Sequence, residues 1–442
     1  MANPGPASTG RRQYLQVAVA LAAAMFAARL SRATGPAIAG AGLAADFDPV
    51  GAVWLGYDGG HEAFTADLAE ALAPFAPIKM LVRDAAAQAQ ARALLQRRKI
   101  KVDQVQFVLD ARAPFWLRDA AAFGLDGDKR PFIVDFKWSY YGWNSWCRTL
   151  VNEPSRRAAE CSRPDDQVAG DLDRRFADMN GWFSFQSNLA AEGGGVETNG
   201  RGLLIANSQL WRSRNPGMTR GAIDAELRRL PGIRKVIWVP HGLAHDPLHR
   251  GTITGSHVGW GTGGHTDEFV RFADPRTVLL AWVDDAEARS HPVAQLNLAR
   301  MKANYNVLAA SSDPDGNPLR VIKVPLPRTM ERPVVLSPDA DTAYSEQWSP
   351  ASFPAAEGRR SGDTVRQVAT SSYLNFVVVN KLVLLPDYLP YGTSPARQAE
   401  VRRTFETVFP GRRVQFIDAG RANWFGGGAH CATLCEPLGS SG

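Results

Sequence analysis

Glu192-Gly193-Gly194-Gly195-Val196-Glu197-Thr198-Asn199-Gly200-Arg201-Gly202-Leu203-Leu204-Ile205-Ala206 is the stretch on which the fold turns. A polar residue leads into a short strand (196–198), a tight Asn-Gly-Arg-Gly turn follows, and an apolar strand returns (203–206). Asn-Gly between two such runs is hairpin chemistry. The same order recurs three times. Asp119 precedes a strand at 122–125, the turn Asp126-Gly127-Asp128 and a strand at 131–136. His265 and Asp267 precede 269–272, the turn Ala273-Asp274-Pro275-Arg276 and 277–282. Asn375 precedes 376–379, the turn Asn380-Lys381 and 382–385. Asp119, Glu192 and His265 are spaced 73 residues apart, and a Pro-, Asp- and Ser-rich insertion around 311–363 lengthens the next step to 110. Recurrence at a fixed period predicts repeated supersecondary units about an axis, each delivering its leading polar residue to one centre.

Between and beyond the hairpins, helical and strand patterns alternate. Strands are expected at 52–56, 78–82, 105–109, 236–239 and 414–417. Helices are expected at 64–72, 85–98, 222–230 (stopped by Pro231-Gly232) and 395–408. This alternation specifies an α/β protein.

The 442 residues are 45% apolar and 21% charged, a globular composition. The net charge of +6 falls to +2 once Arg11, Arg12, Arg29 and Arg32 are discounted, leaving no electrostatic case for nucleic acid. Those arginines belong to an apparent leader. Arg11-Arg12 precede an apolar run at 15–28, shorter than the roughly 20 residues that cross a bilayer. Ala37-Ile38-Ala39-Gly40 offers a cleavage site, and Thr9 to Leu15 resembles a twin-arginine export motif. We therefore expect a signal segment at 1–41, one catalytic domain at 42–442, and a periplasmic or extracellular location. Export permits a disulfide, and Cys147 with Cys161 is the easiest loop to close. No CxxC occurs, which argues against structural zinc. His241, His245 and His249 are spaced by four, but Gly242 and Pro247 argue against the helix that would make them ligands.

Four segments carry chemistry. In Trp116-Leu117-Arg118-Asp119, an acid beside an indole suits a planar cation; an Arg118–Asp119 surface pair beside a core Trp would read the same. Glu192 abuts three glycines, which serve where backbone passes close to a ligand. In Gly263-Gly264-His265-Thr266-Asp267, a strand would put His265 and Asp267 on one face, and His265 suits proton transfer. Gly426-Gly427-Gly428-Ala429-His430-Cys431 sets a thiol after a flexible loop. Cys431 is a nucleophile if a cation or hydrogen bond activates it; otherwise it pairs with Cys435 or is inert.

Together, Trp116–Asp119, residues 192–200, His265-x-Asp267 and residues 426–431 resemble the agmatine deiminase and Porphyromonas-type peptidyl-arginine deiminase family, in order over roughly 46–437. Arg214-Asn215-Pro216, residues 236–243 and residues 372–376 agree. The resemblance implies a pseudo-fivefold α/β propeller of ββαβ units around a central active site. It implies that Asp119 and Asp267 grip a guanidinium and that Cys431 attacks its carbon. His265 would protonate the departing ammonia and then activate water, Glu192 would orient His265 or ligand, and Trp116 would wall the pocket. No metal or organic cofactor is implied. The expected activity is deimination of peptidyl-arginine or arginine to citrulline. The alternative is agmatine to N-carbamoylputrescine, and a third reading is a non-catalytic binding protein on the same scaffold. The expected partner is a guanidino substrate, with no nucleic acid and no stable membrane insertion after processing. Three departures bear on substrate: Ala120-Ala121-Ala122 after Asp119, a nucleophile loop one residue short, and Asn199-Gly200 for Asp-Gly. Where secreted peptidyl-arginine deiminases place a carboxylate-binding arginine pair, this chain has the aromatic run Trp138-Ser139-Tyr140-Tyr141-Gly142-Trp143, with Arg148 the nearest arginine.

Overall fold

Turn chemistry builds the hairpins. At 199–202, Gly200 and Gly202 take φ of +65° and +97°, and Asn199 Oδ1 accepts from the backbone N–H of Arg201 and Leu203. This fixes Glu197–Thr198 antiparallel to Leu203–Asn207. The chain then runs through the helices Ser208–Arg214 and Arg220–Leu227. It returns as Lys235–Val239, parallel to Leu203–Asn207.

The computed structural model describes residues 40–58, 60–150, 171–338 and 347–440, all within the compact unit Gly40–Gly442. Its fold is mixed α/β. The module of antiparallel pair, helix and parallel strand occurs five times among the described residues. A second copy is Ala122–Leu125, Pro131–Lys137 and Phe183–Ala190. A third is Val270–Phe272, Thr277–Trp282 and Arg320–Pro325. A fourth is Val377–Val379, Leu382–Pro386 and Arg413–Ile417. The fifth joins the two ends of the domain: Thr433–Pro437 pairs antiparallel with Val50–Tyr57, which pairs parallel with Ile78–Val82. Four hairpins were expected from local patterning, and this one lies outside it because its strands are almost 380 residues apart.

Neighbouring modules are stitched through their turns. Asn380, at φ +50°, exchanges hydrogen bonds with the backbone of Val50 and donates to Phe75 O, and Asn199 Nδ2 donates to Pro275 O at 2.8 Å. Helices pack outside the strands by their apolar stripes. In Pro395–Val408, Ser394 caps the N-terminus and Pro395 occupies the first turn, where no backbone donor is missed. Val401, Phe405 and Val408 are its buried face, and Phe405 meets Phe376 edge-on at 4.9 Å. A fully buried side chain of this size contributes about 1.5–3 kcal/mol.

The insertion is structured. Glu331–Val335 and Thr364–Val368 join Leu248–Thr254 and His257–Thr262 in a separate four-stranded sheet, an assembly the sequence pattern did not reveal. Cys147 is disulfide-bonded, whereas Cys431 and Cys435 are free; Cys161 and residues 1–39 of the expected leader lie outside the described residues. No helix of the described residues is long and apolar enough to cross a membrane.

Candidate active site

Short turns, not strands, present the polar residues. Asp119 lies in the 3-10 turn Leu117–Ala120, Glu192 directly precedes Gly193–Gly195, and His265 directly precedes Thr266–Glu268, which contains Asp267. The expectation that His265 and Asp267 share a strand face is therefore corrected: a tight turn aims both inward. The turns hold one another. Thr266 Oγ1 donates to Gly194 O at 3.0 Å, Arg118 N–H to Cys431 O at 3.1 Å, and His430 N–H to Asn375 Oδ1 at 2.8 Å.

The structure brings Asp119, Glu192, His265, Asp267 and Cys431 together, none more than 4% exposed. Gly194 sits among them so closely that a Cβ there would lie 2.5 Å from His265 Nδ1, 2.9 Å from Asp119 Oδ1 and 3.2 Å from Asp267 Oδ2. Only a hydrogen fits. Trp116 lines the pocket that leads to Cys431.

His265 is held cationic. Burial opposes its charge, but Asp119 Oδ1 at 3.5 Å and Glu192 Oε2 at 3.3 Å prevail and raise its pKa to about 9. Glu192 is held anionic: burial favours its acid form, yet Arg214 Nε donates to both its oxygens at 3.0 and 2.8 Å and its pKa falls to about 2. Asp119 goes the other way. Burial and the charges of Asp267 and Glu192 raise it to about 7, against His265 and the Tyr141 hydroxyl, which donates to Oδ2 at 2.9 Å. Asp267 stays ionised despite burial, through His430 Nδ1 at 2.7 Å. Behind it His430 Nε2 meets Asp46 at 2.9 Å, and Asp46 is paired with Arg118 and Arg271.

At Cys431, Asn375 Nδ2 donates to sulfur at 3.0 Å. Burial, then Asp267, Glu268 and Asp119, push the thiol well above its usual pKa. Glu268, which accepts from Asn375 at 2.8 Å, is likewise driven up by burial and its acidic neighbours. Asp119 Oδ1 and Asp267 Oδ1 are buried without a hydrogen bond among the described residues. Buried acceptors without a hydrogen bond, beside a thiol and in a site short of positive charge, fit a planar cation rich in N–H donors.

A family model described as Porphyromonas-type peptidyl-arginine deiminase matches residues 49–437. The chain belongs to that family. Members of this deiminase family are hydrolases acting on the C–N bonds of amidines. Agmatine deiminase of Ectopseudomonas mendocina is 30% identical over 379 residues, covering 85% of this chain and 86% of that protein. Agmatine deiminase of Pseudomonas putida is 27% identical, covering 89% and 95%. The structure of Enterococcus faecalis agmatine deiminase matches with a TM-score of 0.66 at 20% identity, covering 90% and 96%, a likeness of fold.

The deiminase pocket opens through aromatic walls. Tyr140, Tyr141 and His249 line it and account for three of the six non-glycine residues with positive φ among those described. Such backbone costs about 1–3 kcal/mol per residue and persists where surroundings enforce it, often at functional sites. Arg250 also lines the pocket; its guanidinium lies 4.4 Å from the Trp260 ring centre, and Nη1 donates to Gln347 O at 2.6 Å.

Several of these contributors went unassigned in the sequence. Asn375 carried the signal of a leading polar residue, and Arg214 lay in a stretch shared with the family. Glu268 adjoins Asp267, and Tyr141 sits in the aromatic run. Asp46 had no signal. Arg118 is buried against Asp46 instead of forming a surface pair with Asp119, and Cys435 leaves Cys431 unpaired. His245 is tied to Ser371 O and Asn297, so His241, His245 and His249 do not converge as metal ligands among the described residues.

Proposed function

We propose that this chain hydrolyses the terminal guanidinium of a small guanidine, with agmatine as the leading substrate, releasing ammonia and N-carbamoylputrescine. The observation that carries it is the convergence of His265, Asp119 and Asp267 around Gly194, with Cys431 Sγ 3.5 Å from Asp267 Oδ2. Asp119 and Asp267 take up guanidinium N–H donors. The cation offsets the carboxylates that suppress thiol ionisation, so Cys431 loses its proton to solvent as substrate binds. Thiolate adds to the guanidinium carbon, His265 gives its proton to the departing nitrogen, and the C–N bond breaks to leave a thiouronium. Neutral His265 then takes a proton from water, whose oxygen adds to the same carbon. The C–S bond breaks as the added hydroxyl gives its remaining proton to solvent, leaving the neutral ureido product and the free thiolate. Glu192, fixed by Arg214, positions His265 and holds it cationic for the first step.

Agmatine leads because relatives at 25–30% identity bear the name agmatine deiminase. A second reading, arginine or peptidyl-arginine to citrulline, draws on the family description and on Arg250, a cation in the pocket wall suited to a tail carboxylate. Mass spectrometry of products from agmatine, arginine and arginine-terminated peptides separates them. N-carbamoylputrescine from agmatine at the highest kcat/KM supports the first reading, turnover confined to arginine or its peptides supports the second, and no ureido product from any of them refutes both. We further propose that the five modules close into the pseudo-fivefold propeller implied by family resemblance. Residues 1–41 would direct export and 42–442 act as one catalytic domain; retention of an Arg11→Lys, Arg12→Lys variant in the cytoplasm would support the leader.

A further inference from the structure

The inserted sheet carries a second group of donors. His257 opens the strand His257–Thr262, Glu331 opens Glu331–Val335, and His291 stands at the N-cap of the long helix Pro292–Ala309. An N-cap is a place for Ser, Thr, Asp or Asn, yet His291 makes no capping bond with its side chain. Its ring turns to Glu331 instead. Nε2 of His257 and Nε2 of His291 both lie 3.3 Å from the same oxygen, Glu331 Oε2. One donor atom from each of the three residues falls within a 4.8 Å span.

We propose that His257, His291 and Glu331 form a site for a divalent transition ion of the zinc class. Bonds of about 2.0–2.1 Å in a tetrahedron put neighbouring ligands about 3.3–3.4 Å apart, the separation seen for both His–Glu pairs. That spacing is long for a charge-assisted hydrogen bond, which runs at about 2.7–2.9 Å. Two imidazoles with one carboxylate select zinc-like ions over calcium or magnesium, which prefer all-oxygen sites. Arg366 grips Glu331 from outside through Oε1 and, from Nε, Oε2 at 3.2 Å. It thereby fixes the carboxylate as an outer-sphere partner does. His291 and Glu331 also border a cavity with Glu287, Arg328, Tyr391 and Trp424, which leaves room for a fourth, non-protein ligand. A bound ion pins the helix Pro292–Ala309 to the inserted sheet. This site is independent of the catalytic assignment.

The test uses the full chain carrying Cys431→Ala, because Asp267, Glu268 and Cys431 are themselves a possible zinc-binding set. Chelator-stripped protein is titrated with zinc by calorimetry and with cobalt by visible absorption, and thermal unfolding is followed with and without zinc. Expected are one equivalent of tight binding, a tetrahedral cobalt spectrum and a higher Tm with zinc. His291→Gln and Glu331→Gln, shown folded by circular dichroism, should each weaken binding on the order of 100-fold. Absence of saturable binding in the parent, or binding unchanged in both folded variants, would overturn the proposal and leave an Arg366–Glu331 pair flanked by imidazoles.

Discussion

Burial drives Cys431 and Asp119 in the same direction, toward their neutral forms, and the carboxylates around them add to it. His265 is driven to its charged form by the same carboxylates. The free enzyme is therefore competent to take up substrate where Asp119 is ionised and His265 is protonated. Asp119 gains its proton as pH falls through about 7, and His265 loses its proton as pH rises through about 9. The profile of kcat/KM, which reports free-enzyme groups, should be a bell with limbs near those values. A profile flat from pH 5 to 10 would contradict the assignment. Gly194 gives a sharper case. Gly194→Ala forces a methyl against His265, Asp119 and Asp267. We expect kcat/KM to fall by about 10³-fold or more, since misplacement of about 1 Å costs roughly 10²-fold, while denaturant unfolding confirms a folded chain. Activity within threefold of the parent would show that the three groups do not converge as described. At this scale the sequence was informative where chemistry is local: Asp119, Glu192, His265, Asp267 and Cys431 each lie within three residues of a glycine or tryptophan in a recognisable segment. It was silent on Asp46, which reaches His430 across 384 positions, a contact that only the fold creates.

The hairpins were legible because each is closed by its own turn, and Asn199-Gly200 or Asn380 announces itself in a few residues. The module made by Val50–Tyr57 and Thr433–Pro437 has no turn, so no local pattern could announce it. Its stability rests on packing. Trp54 is 1% exposed, meets Phe176 edge-on at 4.7 Å, and its indole N–H donates to Glu436 at 2.9 Å. Trp54→Ala should destabilise the domain by about 3–5 kcal/mol, measured by denaturant unfolding. A loss below 1 kcal/mol would mean that the terminal pair is not part of the cooperative core. The strands Glu331–Val335 and Thr364–Val368 were hidden for another reason. They lie within and just after a segment rich in Pro, Asp and Ser; they pair with each other, and Thr364–Val368 pairs with a hairpin strand from elsewhere in the chain.

Across the whole molecule, modules of one design bring polar turns to one place, and the insertion and aromatic run build around them. The chain belongs to a deiminase family, and Tyr140, Trp143, His249 and Arg250 line the pocket that leads to Cys431. The proposed catalysis turns on one sulfur, that of Cys431. Its most direct test is ammonia release from agmatine and arginine-terminated peptides by the parent and by Cys431→Ser, with circular dichroism confirming that both are folded. Cys431→Ser is expected to lose about 10⁴-fold or more on every guanidine the parent consumes, whereas turnover within tenfold of the parent would contradict a role for Cys431 as nucleophile.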